Sequence, residues 1–96
     1  MTNYTTKTVA IVDDDPYARQ MITELLIQYD FKVIEYSSGE EVLSSDISEI
    51  KLVILDVMMP GMDGFETCRK LKEKYDDRLP IIMLTALDDK ESKKRE

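Results

Sequence analysis

Hydrophobic residues fall into two alternating patterns along the chain. Four short runs are dense in aliphatic and β-branched residues: Val9-Ala-Ile-Val12, Lys32-Val-Ile-Glu-Tyr36, Leu52-Val-Ile-Leu-Asp-Val57 and Ile81-Ile-Met-Leu84. Each is bounded by turn or polar residues, as strands buried on both faces of a sheet should be. Between these runs the apolar positions follow a helical period. After Pro16, residues Ala18, Met21, Ile22, Leu25, Leu26 and Tyr29 recur at the three- and four-residue spacing of one helix face. After Gly64, a narrower stripe comprises Phe65, Cys68, Leu71 and Tyr75. The stretch from Ser37 to Ser45 fits a short helix, with Ser38 as its cap and Glu41 at capping-box spacing. The charged tail from Asp88 could open a fourth helix but has no apolar face of its own. Strands alternating with helices predict an α/β fold, a parallel sheet with helices on both faces.

Composition narrows the function classes. Ninety-six residues build one small domain, which we place over 1–96. The net charge of −7 argues against direct binding to nucleic acid and against anionic membrane surfaces. No apolar run is long enough to span a bilayer, and the first residues lack the apolar core of a secretory signal. A single cysteine, Cys68, rules out an intramolecular disulfide and, sitting on the apolar stripe, reads as core; a cytoplasmic location is expected. There is no histidine, so no Ser-His-Asp or Cys-His device and no His-ligated metal can be built from this chain.

The remaining chemistry is acidic. In an open parallel sheet, ligands bind beyond the carboxyl ends of the strands, where the strand order reverses. The first strand runs into Asp13, Asp14 and Asp15, and the third carries Asp56 near its end. If these strands are neighbours, as in flavodoxin-like order, Asp13, Asp14 and Asp56 converge on one edge, with Thr85 and Ala86 following the fourth strand on the same rim. Such carboxylates repel by about 1–4 kcal/mol per pair, so the cluster should raise a pKa or recruit a hard cation. Oxygen donors without His or Cys favour Mg²⁺ or Mn²⁺ over zinc. Asp15 reads differently: followed by Pro16, it suits the N-cap of the first helix. The basic cluster Lys93-Lys94-Arg95 reads as a solvated face.

Three blocks in order, V-D-D-D-P, L-D-V-M-M-P-G-M-D-G and L-T-A, resemble the receiver domain of bacterial two-component response regulators, from about Lys7 to the last residue. That resemblance implies a flavodoxin-like doubly wound sheet of order 2-1-3-4. It implies that Asp56 accepts a phosphoryl group from a phosphohistidine on a sensor histidine kinase or phosphotransfer protein. Asp13, Asp14, Asp56 and the backbone carbonyl of Met58 match the Mg²⁺ ligands, Asp14 directly and Asp13 chiefly through water. Thr85 matches the switch hydroxyl, with Ala86 its small neighbour. A carboxylate can attack phosphorus to give a reactive acyl phosphate, a step that needs positioning and charge neutralisation. Weak self-phosphorylation and autodephosphorylation are the most enzyme-like behaviour this implies. Pro60, Gly61 and Gly64 suit a tight loop beside the site, with Asp63 capping the next helix.

The family pattern has five strand–helix units, and the pattern here stops in the fourth. The fifth strand with its lysine and aromatic switch residue, and the fifth helix, have no counterpart among the 96 residues. The expectation is an incomplete receiver domain whose fourth strand presents an apolar edge, open to homodimer formation. Mg²⁺ binding is expected to survive and phosphotransfer to be impaired. The alternative is a receiver-like interaction or dimerisation module that binds Mg²⁺ without efficient phosphorylation. A Mg²⁺-dependent aspartyl hydrolase of the haloacid-dehalogenase type would need D-x-D-x-T after a strand, which neither acidic block supplies.

Overall fold

The computed structural model describes residues 7–84. In chain order the elements are β1 (Thr8–Val12), α1 (Pro16–Gln28), β2 (Lys32–Tyr36), α2 (Gly39–Leu43), β3 (Ile50–Asp56), α3 (Gly64–Tyr75), a 3₁₀ turn (Asp76–Arg78) and β4 (Ile81–Leu84). The strands form one parallel sheet in the order β2-β1-β3-β4. Strand order reverses between β1 and β3, so the flavodoxin-like topology holds for all four strands.

Register follows from the alternation of side chains. Val9 to Val12 pair with Leu52 to Leu55, after an irregularity at the start of β1 that leaves Lys51 as the extra residue on β3. One residue beyond the Val12–Leu55 pair, both strands present an aspartate, Asp13 and Asp56. On one face, Ala10, Val12, Val53 and Leu55 join Val42, Ile47, Leu71 and Leu79 in the main core beneath α2 and α3. Val9 and Ile11, on the opposite face, are also fully buried. There α1 lies mainly across β1 and β2.

Only β1 is buried as deeply as its composition predicts; β3 buries Val53 and Leu55 but leaves Leu52 and Ile54 half-buried. β1 is buried throughout, whereas β4 alternates between half-buried and exposed residues, Ile82 remaining 48% exposed. The reason is position: β2 and β4 are the outer strands among the described residues. The helical stripes are also narrower than their periods imply. In α1, Ala18, Ile22 and Leu26 are half-buried, but Met21, Leu25 and Tyr29 are exposed and Thr23 is the buried residue. In α3, Phe65 is 63% exposed, while Thr67 and Leu71 are buried and Cys68 packs against the core.

The helix starts follow their capping residues. Asp15 caps α1, its carboxylate accepting from the Tyr17 N–H at 3.0 Å with Pro16 in the first turn. Asp63 caps α3 in the same way, through the Glu66 N–H at 2.9 Å. Ser38 caps α2 through the Glu41 N–H at 3.0 Å. The returning half of that capping box is displaced by one residue: the Glu41 carboxylate accepts from the Ser37 N–H at 2.7 Å and the Ser37 hydroxyl at 3.1 Å. Those two bonds hold the Glu41 carboxyl below the usual carboxylate range.

Candidate functional site

The site lies at the carboxyl edge of β1 and β3, where the reversal of strand order leaves a crevice. Asp13 is buried and fixed at three atoms. Its N–H donates to the Tyr36 carbonyl at 3.1 Å, its carboxylate accepts from the Asp15 N–H at 2.9 Å, and its carbonyl accepts from Arg19 Nη1 at 2.7 Å. Asp14, next along the turn, is exposed. Asp56 ends β3, half-buried, and its carboxylate accepts a long 3.4 Å hydrogen bond from the Met58 N–H.

Oxygens of Asp13, Asp14 and Asp56 lie within 4.8 Å of one another. Asp15, the third carboxylate of the run, is not in that group: its oxygen is occupied at the helix cap. Partial burial, then the charge of Asp13, push the Asp56 carboxyl above the ordinary carboxylate value; the Met58 N–H works against that rise. Among the described residues no Lys or Arg forms an ion pair with any of the three carboxylates. Arg19 reaches the backbone of Asp13 and the side chain of Glu35. A hard, all-oxygen donor set with surplus negative charge fits Mg²⁺.

The β3–α3 connection closes around this edge. Val57 and Met59 are buried and anchor the loop, and Gly61 takes a φ of +73°. Gly64 packs so closely on the end of β3 that a Cβ there would collide with the Asp56 carbonyl and the Val57 Cα. The Gly64 N–H also donates to the Val57 carbonyl at 3.0 Å. β4 reaches the same level: Asp56 pairs with Leu84, and the Val57 N–H donates to the Leu84 carbonyl at 3.0 Å. Thr85 and Ala86 follow directly in sequence and lie outside the described residues.

The residue pattern points to the three aspartates but carries no sign of the roles of Arg19 or of the glycine contacts. An arginine on the first turns of α1, five residues after Asp14, is all that residue type shows. Its partner is a main-chain carbonyl, which leaves no trace in residue type. By its sequence Gly39 is only part of a short helix, yet a Cβ there would collide with the Thr67 hydroxyl of α3.

Comparison with known proteins agrees with this geometry. The family model described as response regulator receiver domain matches residues 9–96. The chain is 43% identical over 82 residues to the heme response regulator HssR of Staphylococcus saprophyticus, covering 84% of this chain and 36% of that protein. It is 37% identical to the transcriptional regulatory protein ResD of Bacillus subtilis, covering 81% of this chain and 32% of that one. Among solved structures, it resembles the response regulator TrrA of Thermotoga maritima, crystallised in complex with Mg²⁺-BeF. The TM-score is 0.79 at 36% identity, over 84% of this chain and 70% of that one. The chemotaxis protein CheY4 of Vibrio cholerae matches with a TM-score of 0.77 at 29% identity, over 95% of this chain and 80% of that one. The chain belongs to the response regulator receiver domain family and is a receiver domain of two-component signal transduction. It spans about a third of the length of the curated relatives it matches.

Proposed function

We propose that Asp56 is the phosphoacceptor of this receiver domain, taking a phosphoryl group from a sensor histidine kinase or phosphotransfer protein. The observation that carries this reading is the convergence of Asp13, Asp14 and Asp56 within 4.8 Å, with Asp56 the last residue of β3. A carboxylate oxygen of Asp56 attacks phosphorus, the bond from phosphorus to the donor's imidazole nitrogen breaks, and its electron pair returns to that nitrogen. Asp13, Asp14, Asp56 and the Met58 carbonyl are the proposed ligands of Mg²⁺, and Mn²⁺ fits the same donors. Bound there, the ion supplies positive charge that offsets the repulsion between Asp56 and the incoming phosphoryl oxygens. The bond from the Met58 N–H helps to orient the nucleophile, and the hold on Asp13 at three atoms fixes one wall of the site. Thr85, directly after β4, is proposed as the switch hydroxyl.

Partner choice is supported by α1. Tyr17 and Met21 are 82% and 67% exposed on the turns that begin beside the acidic run, and Leu25 continues the stripe. An apolar patch beside the acidic run suits docking of a helical phosphodonor. No helix among the described residues is long and apolar enough to cross a membrane, and we place the protein in the cytoplasm. The net charge of −7 supports a domain that does not itself bind nucleic acid. A homodimer through β4 is the second reading, supported by the exposure of Ile82 and Leu84 at the sheet edge.

The direct test is incubation with acetyl phosphate, read by intact mass. Wild-type protein should gain one phosphoryl group in Mg²⁺ and none in EDTA, and Asp56→Asn should gain none. Equal modification of Asp56→Asn would sink the assignment.

A further inference from the structure

Arg19 is the one cation among the described residues whose hydrogen bonds tie the acidic turn to the rest of the fold. Its guanidinium spans three elements: it sits on α1, Nη1 donates to the Asp13 carbonyl at 2.7 Å, and Nε donates to Glu35 on β2 at 2.8 Å. The side chain is largely buried, 19% exposed, while its Glu35 partner is 40% exposed. A planar guanidinium held at two separate nitrogens has little rotational freedom, which a single-point ammonium cannot match. The bond to the Asp13 carbonyl lies on the peptide linking the two acidic residues, because that carbonyl precedes the Asp14 nitrogen. Fixing this peptide sets where both carboxylates project.

We propose that Arg19, held by Glu35, is a positioning residue that presets the Asp13–Asp14 turn for cation binding. This rests on the reading of Asp13, Asp14 and Asp56 as a Mg²⁺ site. Two physical effects of Arg19 oppose each other there. As a positive charge close to the site it repels a divalent cation; as a clamp it removes the ordering cost that the turn would otherwise bear on binding. Partners that orient metal ligands from behind are worth about 10- to 100-fold in affinity. The repulsion between Arg19 and a cation is screened by solvent and by the guanidinium's own ion pair with Glu35. Orientation therefore outweighs repulsion, and removing the cation weakens cation binding.

That sign makes the idea testable. Mg²⁺ affinity is measured by isothermal titration calorimetry on wild type, Arg19→Gln, Arg19→Lys and Glu35→Gln. Amide exchange is followed in Mg²⁺-free protein. Arg19→Gln should bind Mg²⁺ about 10-fold more weakly. Arg19→Lys should recover part of the loss, since it restores charge and one donor but not the two-point hold. Glu35→Gln, a conservative change on an exposed side chain, should show a smaller loss and keeps the test informative if Arg19→Gln folds poorly. In Mg²⁺-free Arg19→Gln, the Asp15 amide, which donates to Asp13 at 2.9 Å in the wild type, should exchange faster than it does in the wild type, while amides in the centre of β1 are unchanged. Tighter Mg²⁺ binding by Arg19→Gln overturns the proposal, as does unchanged affinity in both Arg19 variants. Unaltered Asp15 exchange in Arg19→Gln overturns it as well. Wild-type protein that binds no Mg²⁺, with Asp15 exchange still responding to Arg19, would instead locate the failure in the metal-site reading.

Discussion

Asp56 sits where its environment pulls in two directions. Burial and the neighbouring Asp13 charge favour the protonated acid, while the Met58 N–H favours the carboxylate. In cation-free protein the carboxyl is therefore raised in the fold relative to the unfolded chain. A group of this kind favours folding below its unfolded pKa, and that contribution is lost as pH rises through the folded value. Replacing Asp56 by Asn should stabilise the cation-free protein at neutral pH by about 1 kcal/mol, roughly 4–8 °C in melting temperature. The gain should shrink as pH falls through the raised pKa of Asp56, where the wild-type carboxyl becomes neutral too. Saturating Mg²⁺ should reverse the order, because only the wild type has its full ligand set. Thermal melts of both proteins over a pH series, with and without Mg²⁺, check all three outcomes.

At the scale of elements, caps and close contacts set the frame around the acidic cluster. The two tightest glycines each join elements that carry the site or support it. Gly64→Ala would force backbone apart at the end of β3, and a loss of about 1–3 kcal/mol is expected with reduced acetyl phosphate labelling. Ser38→Ala removes the α2 cap and should cost about 1 kcal/mol in urea unfolding, with labelling unchanged. Strand order, the capping roles of Asp15, Ser38 and Asp63, and the convergence of three aspartates were all legible in the sequence. The caps depend on residue type at fixed local spacing, whereas the strand order, and with it the convergence of the aspartates, was carried by the resemblance to the receiver family. What the sequence did not reveal depends on coverage and on main-chain partners. Met21, Leu25 and Tyr29 keep the helical period yet stay exposed, because α1 lies mainly over β1 and β2 and hides only part of its stripe. Arg19 could not be singled out because its target is a carbonyl that every residue possesses.

For the whole molecule, the two faces of the sheet differ in how they are covered. Beneath α2 and α3 the core is continuous, whereas on the α1 face Leu52 and Ile54 are half-buried and Ile82 and Leu84 are exposed. Exposed β-branched and aliphatic side chains on an outer strand favour association. If copies pair through this strand, Ile82→Lys should shift sedimentation towards the monomer without altering Mg²⁺ affinity; an unchanged profile in a self-associating wild type would place the interface elsewhere. The acidic edge lies at the opposite end of β3 from the pocket of about 310 Å³ bounded by Ile47, Lys51, Tyr75 and Arg78. The reactive chemistry is thus concentrated at one end of the sheet. Borohydride reduction of protein treated with acetyl phosphate, followed by peptide mapping, interrogates that end residue by residue, since an aspartyl phosphate is reduced to homoserine. Homoserine at position 56 alone, formed in Mg²⁺ and absent in EDTA, is the predicted result. Homoserine at position 13 or 14, or none under any condition, would contradict the assignment of Asp56 as the phosphoacceptor.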